Sequence, residues 1–201
     1  MGRWEPDARG RLLVAALELF ADQGYEATTA AQIAEHAGLT RTTLFRHFPD
    51  KREILFQGQS AMVAVVAAGV ESAPSDATAI ELLHAGVRAL CDAHVPEQQE
   101  IGRQIQRLIA VSAELEERSA FKRSVLTRAL EAALLKRLGD QRLVSVLSDL
   151  GIRAYYDGFA AWTVLTPSDP LPDLVLQKLE ELEGALRKAL PVSPAPQGRP
   201  N

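Results

Sequence analysis

The chain has 201 residues and a mass of 21.9 kDa, which is enough for one or two small domains with a hydrophobic core. Its formal net charge of −4 excludes an overall basic surface, so any binding to nucleic acid must come from a local patch. Cys91 is the only cysteine, which excludes a disulfide framework within the chain. No apolar stretch approaches the ~18 continuous residues of a membrane span and no signal-peptide pattern is visible, so we expect a cytoplasmic protein.

The distribution of prolines predicts an all-α fold. No proline lies between Pro96 and Pro167, and the long segments are rich in Ala, Leu, Glu, Arg and Gln, which favour helices. The periodicity of apolar residues predicts nine helices. They cover residues of about 7–22, 30–37, 41–48, 50–71, 76–94, 97–109, 116–138, 140–165 and 170–190.

Residues 28–51 have the pattern of two short helices joined by a tight turn. Thr29 caps the first helix and Gln32 follows at the capping-box spacing. Gly38 is suited to end this helix in a left-handed conformation, and Thr40 caps the second helix. Pro49 then stops the second helix, because the residue before a proline is disfavoured in helical geometry.

The second of these helices is polar on one side. Only Leu44, Phe45 and Phe48 are apolar, and from Thr40 to Arg52 there are four basic side chains and one acidic one. This pattern is typical of the recognition helix of a helix-turn-helix, whose N-terminal residues reach base edges in the major groove. The alternative is a helical hairpin with a solvated polar face. Because the local positive charge is small, DNA binding would need two copies of the motif.

Residues 50–71 are predicted to join two domains as one helix. Ile54 and Leu55 belong with the first three helices, whereas the run AMVAVVAAGV needs a separate core. We therefore expect a helix-turn-helix domain over 1–52 and a helical domain for ligand binding and dimerisation over 53–190. The proline-rich residues 191–201 are predicted to be a disordered tail.

The helix over 76–94 raises an alternative of another class, a thiol- or metal-dependent enzyme. His84 and Cys91 share one face of this helix at a spacing of seven residues. However, that spacing separates them by ~10 Å along the helix axis, and no third catalytic group accompanies them. We therefore expect no enzymatic activity, no catalytic residues and no metal site.

The last two helices are predicted to form a dimer interface. Small or apolar residues line one strip of the helix over 140–165, and a near-heptad apolar stripe follows on the helix over 170–190. The expected interface residues are Ala154, Gly158, Ala161, Leu165, Val175, Leu179, Leu182 and Leu186. The alternative is that both stripes pack inside one subunit.

The first quarter of the chain resembles the tetracycline-repressor (TetR) family of bacterial transcription regulators. The matching residues are Phe20, Gly24, Tyr25, Thr28, Thr29, Ile33, Ala34, Ala37, Gly38, Leu39, Thr40, Leu44, Phe45, His47, Phe48, Lys51 and Leu55. Farther along, only the region from Gly158 to Trp162 adds sequence support. The resemblance implies a nine-helix TetR-like architecture and a homodimer that binds an inverted-repeat DNA operator, as a repressor released by a small molecule.

The resemblance also implies roles for individual residues. Thr29 would contact a phosphate, Arg41 would read guanine, and His47 and Lys51 would anchor phosphates. Phe45 departs from the family, which usually has a tyrosine there whose hydroxyl reaches a phosphate. The full expected DNA-binding set is Thr29, Thr40, Arg41, Thr42, Thr43, Phe45, Arg46, His47 and Lys51.

The family implies that the small molecule binds in the second domain and moves the helix over 50–71. We expect no cofactor, and an effector that is largely apolar. The candidate pocket residues are Met62, Val66, Val87, Cys91, Ile105, Phe121, Tyr155, Phe159 and Trp162. The alternative is a helix-turn-helix dimer whose second domain binds no ligand.

Overall fold

A computed structural model describes residues 8–164 and 170–189. All regular secondary structure in these two ranges is helical, which confirms the predicted all-α fold. The helices are α1 (Ala8–Gln23), α2 (Ala30–His36), α3 (Arg41–His47), α4 (Arg52–Leu55), α5 (Gln59–Glu71), α6 (Ala79–Asp92), α7 (Gln98–Val111), α8 (Ala113–Leu138), α9 (Gln141–Val164) and α10 (Leu171–Ala189). The predicted tail over 191–201 and Leu165 lie outside the described residues.

The fourth predicted helix is divided into α4 and α5. Residues 56–58 form a turn between them, and Gly58 adopts a φ of +91°, which is a left-handed conformation that favours glycine. The prediction of one continuous helix over 50–71 is therefore wrong. The other eight helices occur as predicted, so the nine-helix plan holds for the described residues, with this one interruption.

The segment Arg52–Glu71 is also the most apolar long segment described. An 18-residue window of this 20-residue segment has a mean hydropathy of 1.4, which would allow it to cross a membrane by length and composition alone. However, the turn at Gly58 interrupts it, and Val66 and Val70 are buried in a core shared with other helices. A core helix meets the same criterion, so this segment is weak evidence for a membrane span.

Helices α1 to α4 surround a first hydrophobic core. Leu12, Ile33, Leu44 and Ile54 are fully buried in it, one from each of the four helices. Leu115 of α8 belongs to the same core, and apolar side chains of α7 pack against its edge. The N-terminal helices are therefore packed directly onto α7 and the start of α8.

Helices α5, α6, α8, α9 and α10 surround a second core. Val66, Leu83, Leu130 and Val175 are fully buried there. Helices α9 and α10 pack closely: a Cβ on Gly158 would lie 2.7 Å from the Val175 Cα atom. Only a residue without a side chain lets the two backbones approach this closely.

This packing corrects the expected dimer interface. Ala154, Gly158, Val175 and Leu179 are buried inside a single chain, where α10 covers α9. The prediction that these four residues face a second copy is therefore wrong, and the alternative of packing within one subunit is correct for them. The small-residue strip lets the chain's own last helix approach.

The remaining expected interface residues differ in exposure. Ala161 and Leu182 are half-buried, and Leu182 packs against the second core. Leu186 is exposed, as are Leu143 and Val146 on α9. The large apolar side chains that remain exposed on the described residues of these two helices are Leu143, Val146, Val164 and Leu186.

We predict that Gly158→Ala destabilises the protein by about 1–3 kcal/mol, because the new Cβ meets the Val175 backbone. Gly184→Ala on α10 is the control: no atom would lie within 4 Å of its Cβ, so it should stabilise the helix by about 0.5–1 kcal/mol. Thermal and urea unfolding of both variants measures the difference. Equal stabilities would contradict the close packing of α9 on α10.

Candidate nucleic-acid interface and ligand cavity

Local hydrogen bonds fix both short helices of the predicted motif. The Thr29 hydroxyl accepts a bond from the Gln32 backbone N–H at 3.3 Å, and the Gln32 side chain accepts one from the Thr29 N–H at 2.8 Å. The Thr40 hydroxyl accepts from the Thr43 N–H at 3.1 Å and so caps α3. The sequence predicted both caps at these positions, and capping of this kind is worth about 1 kcal/mol for each helix.

The turn between α2 and α3 is held by a residue that the sequence analysis did not select. Arg11 of α1 donates from Nη2 to the carbonyl oxygens of Ala37 and Gly38 at the end of α2. Gly38 adopts a φ of +65°, as its position predicted. Arg11 stabilises carbonyl groups that the end of a helix leaves without partners. Nothing in the local sequence indicates this contact, because it spans 26 residues.

Helix α3 presents one polar face to solvent. Leu44 and Phe48 are buried in the first core, whereas Arg41, Thr42 and Arg46 are exposed. Phe45 is 42% exposed, and the Arg41 guanidinium lies 5.3 Å from the centre of its ring. The exposed face of α3 therefore consists of two cations, a hydroxyl and an aromatic edge.

Other side chains expected at this face already make hydrogen bonds within the protein or are partly buried. The Thr29 hydroxyl donates to the Gln32 side chain at 2.9 Å, and the hydroxyls of Thr40 and Thr43 bond to each other at 2.9 Å. The ring of His47 is half-buried, and its Nε2 atom is enclosed. An external contact by His47 would therefore have to use Nδ1.

Lys51 has a structural role that the sequence analysis missed. Its Nζ donates to the carbonyl oxygens of Tyr25 at 2.7 Å and Thr28 at 3.0 Å, and lies 4.1 Å from the centre of the Tyr25 ring. This ammonium group holds the loop between α1 and α2 against the start of α4. Two of its three N–H groups are already bonded within the chain, so one N–H is left for the predicted phosphate contact.

A cavity of about 650 Å³ lies between the two cores. It is bordered by α1, the turn between α4 and α5, α7, α8 and α9. Of the nine predicted pocket residues, Met62, Ile105, Tyr155 and Phe159 line it. The cavity thus lies closer to the N-terminal helices than the sequence predicted.

The other five predicted pocket residues do not line the cavity. Val66, Val87 and Cys91 are buried in the second core, and Trp162 is buried behind Phe159. Phe121 is 51% exposed on the outer face of α8. Periodicity placed these residues on the apolar side of a helix, but it does not distinguish core positions from cavity walls.

Aromatic side chains surround His94 at the inner end of the cavity. His94 Nε2 lies 2.7 Å from the Tyr155 hydroxyl, and the rings of Phe159 and Trp162 lie 5.2 and 6.2 Å from the His94 ring. Burial lowers the pKa of His94, although its hydrogen bond to Gln98 opposes the shift. Burial also raises the pKa of the Tyr155 phenol. This end of the cavity therefore carries no charge at neutral pH.

Ion pairs join α4 to α8 beside the cavity. Lys122 of α8 lines it, and its Nζ lies 3.0 Å from a Glu53 carboxylate oxygen of α4. Arg118, one helical turn earlier, bonds the other oxygen of Glu53. A further pair joins Arg52 of α4 to Glu114 of α8 at 3.2 Å. Lys122 therefore lines the cavity and also joins the N-terminal helices to α8.

The alternative site at His84 and Cys91 has no support in the structure. Cys91 is buried, and this burial raises the pKa of its thiol to about 12, which disfavours the reactive thiolate. His84 instead lies 3.4 Å from Glu183 of α10. Within residues 8–164 and 170–189, no group of three His, Cys, Asp or Glu side chains could hold a metal ion.

Fold and site together define a class: helix-turn-helix proteins in which a second helical domain carries a cavity. Residues 12–57 match the family model for bacterial regulatory proteins of the tetR family. This match covers the helix-turn-helix region, and the family model does not extend over the second domain. Thermus thermophilus FadR, a TetR-family transcriptional repressor crystallised with lauroyl-CoA, has a similar fold. The comparison covers 94% of this chain and 100% of that one, with 26% identity and a TM-score of 0.57.

Two characterised relatives are similar over shorter ranges. The regulator TcmR of Streptomyces glaucescens is 38% identical over 82 residues, which cover 41% of this chain and 36% of TcmR. The transcriptional activator FasR of Mycolicibacterium smegmatis is 37% identical over 67 residues, which cover 33% of this chain and 31% of FasR. The chain therefore spans only about a third of the length of these two relatives.

We predict that His94 makes the protein less stable in mild acid. Because its pKa is lowered in the folded chain, the unfolded chain takes up a proton first as the pH falls below the ordinary value of 6.5. The free energy of unfolding should therefore decrease from about pH 7.5 to pH 5.5, and His94→Gln should reduce that decrease. Urea unfolding across this range measures it. Val95→Ala, at the exposed neighbouring residue, should keep the wild-type pH dependence, whereas an unchanged slope in His94→Gln would contradict the prediction.

Proposed function

We propose that the protein is a sequence-specific DNA-binding transcriptional regulator that acts as a homodimer and is released from DNA by a small molecule. The observation that carries the proposal is the exposed polar face of α3, held at its base by the Thr40 cap and the buried side chains of Leu44 and Phe48. A helix presented in this way fits the major groove, and its first residues meet the bases. Because DNA is the target, the site of action is the cytoplasm of a bacterium.

Arg41 is the best candidate for reading a base. It is the first residue of α3, it is exposed, and its guanidinium can donate two parallel bonds to guanine O6 and N7. Arg46 and the hydroxyl of Thr42 border it and are suited to phosphates or to neighbouring bases. The exposed edge of Phe45 offers an apolar contact of the kind that a thymine methyl makes.

A dimer would supply the affinity that a single α3 lacks. The whole chain is acidic, so one copy gains little from the charge of DNA. Two copies on one DNA face, with their α3 helices about 34–36 Å apart, would bind an inverted repeat. The exposed apolar side chains of Leu143, Val146 and Leu186 support a contact through α9 and α10.

The cavity supports control by an effector with a long apolar part. Its volume of about 650 Å³ is typical of sites for small molecules, and Leu13, Ile101, Ile105 and Phe159 supply apolar walls. The Thermus FadR structure contains lauroyl-CoA, so we propose an acyl chain as the apolar part of the effector. Because the cavity borders both cores, a ligand there can favour one arrangement of the two domains.

We expect a selection from random DNA to return an inverted repeat. In that operator, Arg41→Ala should relax the preference at one position of each half-site by about 1–3 kcal/mol. Binding titrations with operators substituted at each position measure the loss. Arg142→Ala, an exposed arginine at the start of α9, is the control and should leave every preference unchanged. A single asymmetric site, or equal effects of the two substitutions, would contradict the proposal.

The dimer surface can be tested separately. Val146 is 57% exposed and Leu186 is 41% exposed, so Val146→Glu together with Leu186→Glu should give folded monomers that bind the operator weakly. Light scattering after size exclusion measures the mass. Val111→Glu is the control, since Val111 is 82% exposed at the end of α7, and it should remain dimeric. A dimer that persists in the double variant would move the interface elsewhere.

A further inference from the structure

The charged side chains that line the cavity in the described part of the chain are both cations. Arg9 and Lys122 line it, and no aspartate or glutamate side chain is among its lining residues in the described part of the chain. The inner end, at His94 and Tyr155, is uncharged at neutral pH because burial disfavours the ionised form of both groups. The cavity therefore combines an apolar, uncharged interior with cations at the end that faces the N-terminal helices. An anion attached to an apolar chain fits this arrangement electrostatically.

Lys122 belongs both to the wall of the cavity and to the contact between α8 and α4. It lines the cavity, and its ammonium group bonds the Glu53 carboxylate, which is the link between α8 and α4. The side chains of Lys122 and Glu53 are only 17% and 14% exposed, so water screens this pair less than a surface pair. Burial alone would raise the pKa of Glu53, but its bonds to Arg118 and Lys122 hold that pKa below the ordinary value. Glu53 is therefore an anion that depends on these two cations.

Gln59, at the start of α5, is a further residue of the cavity wall that contacts Lys122. Its Nε2 donates to the Lys122 backbone oxygen at 2.6 Å, which fixes the orientation of the amide. Its Oε1 is then a buried acceptor with no hydrogen-bond partner among the described residues, and Gln59 lines the cavity. A buried acceptor without a partner costs about 1–3 kcal/mol. This buried acceptor lies in the part of the wall that contacts the Lys122 backbone.

We propose that Lys122 recognises an anionic group of the effector and that this anion competes with Glu53 for it. When the anion binds the Lys122 ammonium, Glu53 keeps only Arg118, and the link between α4 and α8 is weakened. Because α4 belongs to the same core as α3, this change reaches the DNA-binding face. The effector class is then an acyl or alkyl chain that carries a carboxylate or phosphate. The proposal rests on the function proposed above and adds the anionic group that the effector needs in order to release DNA.

Binding measurements with matched probes test the recognition step. Dodecanoate and 1-dodecanol have the same chain length and differ in charge, and lauroyl-CoA supplies phosphates in place of a carboxylate. Isothermal calorimetry should show that Lys122→Met weakens dodecanoate binding by about tenfold or more and leaves 1-dodecanol binding unchanged. Retained 1-dodecanol binding also shows that the variant is folded around its cavity.

Glu53→Gln tests the competition and should change affinity in the opposite direction. Without the competing carboxylate, dodecanoate should bind at least about threefold more tightly than to the wild type, a gain that misfolding cannot imitate. Lys136→Met is the matched control, because Lys136 is also on α8 and pairs with Glu71 of α5 at 3.2 Å, but it does not line the cavity. This control should bind all three probes like the wild type.

The release of DNA provides the last measurement. Fluorescence anisotropy with the selected operator should show release by dodecanoate or lauroyl-CoA and none by 1-dodecanol, and Lys122→Met should resist release. Release by dodecanoate at the lower concentration would indicate a carboxylate effector. Release by lauroyl-CoA at the lower concentration would indicate a phosphate effector. If the wild type binds DNA but releases it equally with 1-dodecanol, or if Lys122→Met binds dodecanoate like the wild type, the inference is overturned. It is also overturned if neither anion binds. A wild type that binds no DNA at all would instead contradict the proposed function.

Discussion

The link between α4 and α8 is the constraint on which the rest of the structure depends. Glu53 bonds both Arg118 and Lys122, so one carboxylate joins a four-residue helix to two successive turns of a long one. Beside this charged contact, Leu115 of α8 completes the core that α1 to α4 form. A small set of helices with one shared core has little stability of its own. The position of α3 is therefore set by α8 as well as by its immediate neighbours.

The cavity lies beside the contact between α4 and α8, so a ligand bound in it can alter that contact. Its outer end borders the turn at Gly58 and the side chain of Lys122, and its inner end reaches His94. Removing one charge-assisted hydrogen bond from the link changes its free energy by about 1.5–3 kcal/mol. That is also the usual size of coupling between two binding sites. A ligand therefore does not need to unfold the link in order to change the balance between two arrangements of the domains.

The small residues of α9 show that a sequence pattern does not identify which helix packs against it. A strip of alanine and glycine along a helix indicates that another helix approaches closely, and this holds for α9. In the structure the approaching helix is α10 of the same chain, with Val175 directly against Gly158. The large apolar side chains that remain exposed for a second copy on α9 and α10 are Leu143, Val146, Val164 and Leu186. The close packing is thus internal, and the proposed dimer contact is formed by residues beside it.

The sequence by itself determined whatever depends on near neighbours in the chain. Proline placement and apolar periodicity predicted the all-α fold, and the caps at Thr29 and Thr40 were predictable because each bonds a residue three positions later. Contacts between distant residues were decided only by the tertiary structure. Lys51 turns inward to Tyr25 across 26 residues, and Lys122 reaches Glu53 across 69. A helical pattern shows which side of a helix is apolar, but not whether that side meets a core, a cavity or another helix, because those depend on how distant segments pack.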